Sequence, residues 1–525
     1  MPRRDLPTTR RVLRDRANIN VSYNQRRNSS SSIAKGGQVV PLLSSPRGGS
    51  FDVHPPDLTI PIVQRLPFDV LSEIFENCIF SNYSLLEDSD ARRKGRPFWV
   101  IKNSPWVLSQ VCAHWRVATQ RLRNLWTHVQ IDAYKESDLT SSSRAQLLAL
   151  FLERSGDAEL DVFVNCKIPD VEDNVIYPTL LQHSHRFRFL SFKAPPRCLR
   201  YFKPIQGNLR SLRKLRLFII HPGKTPRKVV QLFSDAPLLE NVKIRESGDR
   251  QRFAFRAHQL REVVAPISAI SDLRLLTTLK ECKLFINKSS WVLMKGKTLN
   301  SSSLCSLSLE EPFLLRAGNL ARLLNSLVLP SLVSLSIRTR DKTNLCSSIG
   351  SFLLRSQCRL TNLDIEVKHL EPDDLEQLFH LCPGLLRLRL STRMKRSIIQ
   401  LFHRDPSGSD TCLLPRLETL DMSASRFKSE SYLPHDFFIL CRTIWLRGFE
   451  DDVDLQTTGL VRLKELHVHT RFEAGKASHK VKRMMTALAE KGLNIYLRGN
   501  LLSLADLRTD SPCSTDVDVE MADAE

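Results

Sequence analysis

The sequence predicts an α/β protein. A small helical domain comes first, then an irregular solenoid of stacked strands in a horseshoe, with a disordered arm at each end. Three observations predict this. A leucine template, L-x-x-L-x-L, recurs from about residue 187. Ahead of it, apolar residues fall at helical spacing. Both ends of the chain lack apolar periodicity and are rich in charge.

Taken in order, residues 1–55 are rich in Arg, Ser and Gly and read as a disordered basic arm. The helical domain is placed at 62–131. In IVQRLPFDVLSEIFENCIF, Val70, Leu71, Ile74, Phe75 and Cys78 form one apolar stripe. Pro67 suits a first turn, where its missing N–H costs nothing. Asp69 and Glu73 set negative charge at the favourable end of the helix dipole. A polar insert follows, SNYSLLEDSDARRKGRP. Then LSQVCAHWRVATQRLRNLWTHV brings Leu108, Val111, Cys112, Trp115 and Leu122 onto one helical face. Trp126 falls beyond that helix, beside a short strand at HVQI. Residues 132–186 read as a connecting segment.

The repeat region is placed at 187–498. Copies of the template begin at 187, 212, 239, 260, 279, 304, 332, 360, 385, 417, 441 and 463. Their spacing averages about 25 residues, within the leucine-rich period of roughly 20–29. Several copies follow a proline, as in LPSLVSLSI and CPGLLRLRL, which ends one element and opens the next. Each copy supplies a strand with inward leucines, and VVQLFSDAP and DLEQLFHLCP read as helical returns. One copy cannot bury its apolar face, but stacked neighbours can. Residues 499–525 read as an acidic disordered tail.

The net charge of +21 favours an acidic partner. The twelve cysteines are scattered without a CxxC pair, as buried reduced thiols are in a reducing compartment. No signal-peptide core and no long apolar run is seen, so the expected location is cytoplasm or nucleus, away from membrane. GKT at Gly223 and at Gly296 lacks the upstream glycine of a phosphate loop. The histidines of HSH (183–185) and HVH (467–469) lack further ligands at suitable spacing. No catalytic residue, metal or cofactor is expected.

LPFDVLSEIFENC and SPWVLSQVCAHWRVATQRLRNLWTHV together resemble an F-box, of the F-box-like type common in fungal proteins. The matching features are Leu66-Pro67, Leu71, Ile74-Phe75, Leu108, Val111-Cys112, Trp115-Arg116 and Leu125-Trp126. The insert between Cys78 and Ser104 is longer than in compact F-boxes. The resemblance implies a substrate-recruiting adaptor of a Skp1–cullin–F-box ubiquitin ligase, with catalysis in other subunits. It implies that Leu66, Pro67, Leu71, Ile74 and Leu108 meet Skp1. Phe75, Val111, Cys112, Trp115 and Trp126 would then be the domain's core.

The repeats would hold a protein substrate on their concave face. Residues flanking the inward leucines point there: Lys193, Lys214, Arg216, Lys243, Arg245 and Lys283 early, then Asp364, Glu366, Arg387, Arg389, Asp421, Trp445, Arg447 and His467. A basic first half favours an acidic or phosphorylated substrate. The competing classes are a nucleic-acid-binding protein, which the scarcity of aromatic residues in the early strip disfavours, and a scaffold that joins no ligase.

Overall fold

In the computed structural model, the described residues are 66–80, 105–132, 141–166, 176–220, 229–246, 252–256, 259–270, 277–286, 298–311, 319–339, 345–367, 370–392, 396–402, 413–424, 434–449, 460–469, 479–497 and 500–502. The basic arm, the polar insert, both GKT glycines and all but residues 500–502 of the tail lie outside them; Asn500–Leu501, placed in the disordered tail by sequence, forms a strand.

Three helices open this part of the chain: α1 (Phe68–Phe80), α2 (Pro105–Val111) and α3 (Ala113–Arg121). A parallel sheet follows. Its strands are β1 (His128–Asp132), β2 (Leu160–Asn165), β3 (Phe187–Ala194), β4 (Lys214–Ile219) and β5 (Asn241–Glu246). Next come β6 (Glu262–Pro266), β7 (Glu281–Phe285), β8 (Ser306–Glu311), β9 (Ser334–Thr339) and β10 (Asn362–Val367). The last are β11 (Arg387–Thr392), β12 (Thr419–Ala424), β13 (Glu465–His469), β14 (Asn494–Leu497) and β15 (Asn500–Leu501). Strand order follows chain order throughout this 15-stranded sheet, and only β14–β15 is antiparallel.

This is a leucine-rich-repeat-like fold, and its register shows why. The middle residue of each rung pairs with the next: Leu190, Leu215, Val242, Val263, Cys282, Leu307, Leu335, Leu363, Leu388, Leu420 and Leu466. All are buried, so the rungs stack into one unbroken apolar ladder. The rungs are also tied by backbone. From β4 to β12 the carbonyl just before each strand accepts two N–H groups from the next rung; Glu418 O takes Lys464 N at 2.8 Å and Glu465 N at 3.1 Å.

The sheet begins earlier than the template. β1 and β2 are its first rungs, so the region read as a connector is already repeat. Their ladder residues are Val129 and Val162, and β14 uses Ile495; β-branched residues fill the leucine place and hide the pattern. Conversely, the copy at 441 is no strand. CRTIWL lies in a helix, Pro434–Gly448, because the Cys441-x-x-Ile444 spacing also fits a helical face. Ile444 is buried within it.

The returns differ along the array. α4 (Ser141–Arg154) and α5 (Ile176–Leu181) serve the first rungs. α6 (Asn319–Asn325), α7 (Leu345–Ser356), α8 (Pro372–His380), α9 (Arg396–Gln400), α10 (Pro434–Gly448) and α11 (His479–Glu490) serve the later ones. DLEQLFHLCP is helical as expected. VVQLFSDAP is not: Val229–Val230 pairs with Arg252–Phe253 as a short strand, and turns follow. Among the described residues between the rungs at Val242, Val263 and Cys282, the return includes a short 3-10 turn, Ile267–Ala269. No helix among the described residues is long and apolar enough to cross a membrane.

Candidate functional site

Two surfaces emerge from this architecture. The first is the outer side of the helical module. Leu71 N–H donates to Pro67 O at 3.0 Å, so α1 starts immediately after the proline. The single stripe expected there is two adjacent rows at i, i+4, i+8. Leu71, Phe75 and Ile79 are buried. Val70, Ile74 and Cys78 face outward, with Val70 and Ile74 37–39% exposed.

The second helix of the sequence reading is split. Cys112 adopts extended backbone, φ −157°, and its Sγ accepts a hydrogen bond from Trp115 N at 3.4 Å, capping α3. The break turns Val111 outward to 52% exposure. Val111 is therefore not core, and Cys112 is a half-buried cap. Trp115 meets Phe75 edge-on at 4.7 Å, which holds α3 against α1. Trp126 is fully buried. Its Nε1 donates to Thr119 O at 2.8 Å, and its ring meets Trp106 at 4.8 Å and Phe151 of α4 at 5.2 Å. The Arg154 guanidinium sits 4.6 Å from both indole rings. Trp126 thus fuses the helical module to the first repeats.

Of the residues expected to meet Skp1, Pro67 and Ile74 are exposed, and Leu66 and Leu108 are half-buried against the core. Leu71 is fully buried and is not available to a partner. Sequence reading missed Phe68, Val107 and Val117, which are 37–47% exposed beside the outward row's helices. An exposed-versus-buried split between adjacent helical rows leaves no signal in spacing alone.

The second surface is the open face of the sheet. Lys193, Lys214, Arg216, Lys243, Arg245, Lys283, Arg387 and Arg389 all stand at the half-buried or exposed positions between buried ladder residues. Arg447 does not: it is buried in α10, where its guanidinium donates to Leu414 O. Trp445 is likewise on that helix, packed by Lys491 at 4.7 Å.

The two halves of this face differ. Across β3–β5 the outward positions carry Lys193, Lys214, Arg216, Lys243 and Arg245, with Phe189, Phe218, Ser191 and Asn241 between them and no carboxylate. Across β9–β12 charges alternate and close on one another. Arg338 reaches Asp364 at 3.6 Å and Glu366 at 3.3 Å, and Arg389 reaches Asp421 at 3.2 Å. His467 stacks on Tyr496 at 4.2 Å.

Aromatic residues are not scarce on the early strip. Phe163, Phe189, Phe218 and Phe285 share it, brought together by the alternation of LDVFV and FRFLSF with their neighbours. Most are already covered by cations: Arg216 over Phe189 at 5.3 Å, Lys193 over Phe218 at 5.1 Å and Lys283 over Phe285 at 5.3 Å.

Where α1 meets the open face there is a cavity of about 850 Å³, walled by Glu76 and Phe80 of α1 and by β2–β4. At its floor Asp161 accepts two hydrogen bonds from Arg188, at 3.0 and 2.6 Å, and lies 3.1 Å from His128. Burial pushes the Asp161 carboxyl up, but hydrogen bonds and charge from His128 and Arg188 outweigh it and hold it below the usual carboxylate range. Among the described residues, no group of three His, Cys, Asp or Glu side chains is placed to hold a metal ion.

No protein family matches the chain, over the F-box-like residues or elsewhere, and no curated protein is similar to it. Among solved structures, the leucine-rich repeat-containing protein LegL7 from Legionella pneumophila overlaps 70% of this chain and 91% of its own, at 10% identity and TM-score 0.26. A TLR13–ssRNA13 complex overlaps 73% of this chain at 15% identity and TM-score 0.32, and this chain spans 53% of that one. At those TM-scores neither likeness carries an argument. The repeat fold rests on the register described above.

Proposed function

We propose that the protein is a non-catalytic interaction scaffold of the F-box kind. By this reading the helical module docks a Skp1-like adaptor of a cullin ubiquitin ligase, and the open face of the repeats holds a protein substrate. The observation that carries the reading is the outward apolar surface of α1–α3. Phe68, Val70, Ile74, Val107, Val111 and Val117 remain 37–52% exposed in a module whose inward rows are already full. A cluster of large apolar side chains that the fold does not need is a contact surface, and apolar helix faces are a common way to seat a partner helix.

The competing reading, nucleic-acid binding, draws on the basic β3–β5 strip. It is weaker because Phe189, Phe218 and Phe285 are engaged by their own cations rather than open for base stacking. Co-purification with a Skp1-like protein tests the proposal. Val70→Asp/Ile74→Asp is expected to abolish recovery, and Leu66→Ala/Pro67→Ala to reduce it. Val70→Asp/Ile74→Asp should keep the wild-type circular dichroism, because both side chains lie on the outward row. Leu66 is half-buried against the core, so that variant is read beside its own thermal midpoint. No recovery with the wild type would remove the adaptor role.

A further inference from the structure

We infer that the substrate site is composite: an acidic peptide segment lies across β3–β5, with an apolar side chain seated in the cavity between α1 and the sheet. The inference rests on reading the open face as the substrate side. It does not depend on which adaptor the module docks.

The first support is charge. Three consecutive strands present five cations outward and no outward carboxylate of their own. Lys243 meets a neighbouring strand's carboxylate, Glu262 at 3.6 Å; in the later strands Arg338 and Arg389 close on Asp364, Glu366 and Asp421. Strands lie about 4.8 Å apart, so the five cations form one dense field. Within the cavity the carboxylates are mostly engaged. Asp161 is bonded to Arg188 and His128, and Glu159 is 4.0 Å from Arg213. Lys214 and Arg216 line the same space beside Glu76, so its outer side is cationic.

The second support is shape and polarity. Phe80 of α1 and Phe163 of β2 both line the cavity with apolar surface, and Phe80 is held 4.9 Å from the His128 ring of β1. Phe163 packs against Phe189 at 5.0 Å, and Arg216 lies over that second ring. A guanidinium fixed on an aromatic ring is pre-organised for an anion arriving from solvent. The chemistry recognised is therefore clustered carboxylates or phosphates beside an apolar residue. Because α1 supplies one wall, the helix that carries the outward row Val70 and Ile74 also shapes the substrate pocket through Glu76 and Phe80.

The test is fluorescence anisotropy on the full chain with labelled short peptides. One is Glu-rich with a central Phe-Leu pair. The second replaces some Glu with phosphoserine. The third is its Lys-rich counterpart, and the fourth replaces Phe-Leu with Gly-Gly. The Glu-rich and phosphorylated peptides are expected to bind and the Lys-rich one not to; the tighter of the first two identifies the anion's source. Lys193→Glu/Arg216→Glu should weaken binding at least about ten-fold, and Phe80→Ala about three-fold with the Phe-Leu peptide only. Arg387→Glu/Arg389→Glu, on the later strands, should change it less than about two-fold.

Thermal midpoints confirm that each variant folds. Equal losses in the early and late charge variants, tighter binding of the Lys-rich peptide, or no binding of either anionic peptide would overturn the inference. So would tighter binding of a single-stranded RNA oligonucleotide that is lost in the early variant, which would assign the strip to nucleic acid. Co-purification with the Skp1-like protein is read on the same samples. Retained adaptor with lost peptide specificity defeats the pocket alone, and the reverse result defeats the adaptor reading alone.

Discussion

The helical module and the repeat array draw on the same residues and spend them differently. In the array the ladder row is turned inward, each position within a few per cent of complete burial, while scattered apolar residues such as Phe218 and Leu354 stay exposed. In the module one row of α1 is inward, and the next row around the helix is outward. The array's ladder is satisfied by its own stacked neighbours. The module's leftover row is an exposed apolar surface, the kind that marks interaction sites. The contrast puts a leftover apolar row on α1, where the proposed partner would dock, and the charged positions on the sheet's open face.

The contrast can be broken first at the joint between the two regions. Trp126→Ala removes the side chain that packs on Trp106 and Phe151 and carries Arg154. It is expected to lower unfolding stability by about 3–5 kcal/mol, read by urea denaturation. Loss of less than about 1 kcal/mol would mean that module and array do not share a core there.

A smaller effect is expected at Asp161. Its carboxyl is held below the ordinary range, so it stabilises the fold above about pH 4, and that contribution fades as pH falls through its folded value. Asp161→Asn should therefore be less stable than wild type at neutral pH, with the gap closing in acid. A gap that widens in acid would contradict the arrangement of His128 and Arg188 around it.

The smallest effect is chemical. Cys78, in the outward row, and Cys305 are the exposed thiols among the described residues. Burial pushes Cys382 and Cys441 up to about 12, which leaves them inert. Iodoacetamide should label Cys78 and Cys305 in the native protein, and a bound Skp1-like partner should shield Cys78 alone. Shielding of Cys305 instead would move the docking surface onto the array.

Much of this was legible in the sequence, for physical reasons that also mark the limits. Eleven template copies became strands because L-x-L at period two buries both leucines of a rung. β1 was read as a short strand but not as a rung, and β2 and β14 escaped notice, because Val129, Val162 and Ile495 fill the same place without the leucine signature. CRTIWL misled because the template's first spacing is also a helical one. The eight cations of the open face were found from register alone. The cavity was not, since it needs α1 beside β2–β4 and depends on Phe163 and Phe189, whose alternation was visible but whose neighbours across the sheet were not. The helix break at Cys112 was hidden because a thiol is a weak acceptor and an uncommon cap.

Hydrogen exchange of the full chain with and without a Skp1-like protein tests the central claim most directly. The account predicts new protection confined to 68–80 and 105–121, with the strands of the repeat array unchanged. Protection falling on the array while those helices exchange as before would contradict it.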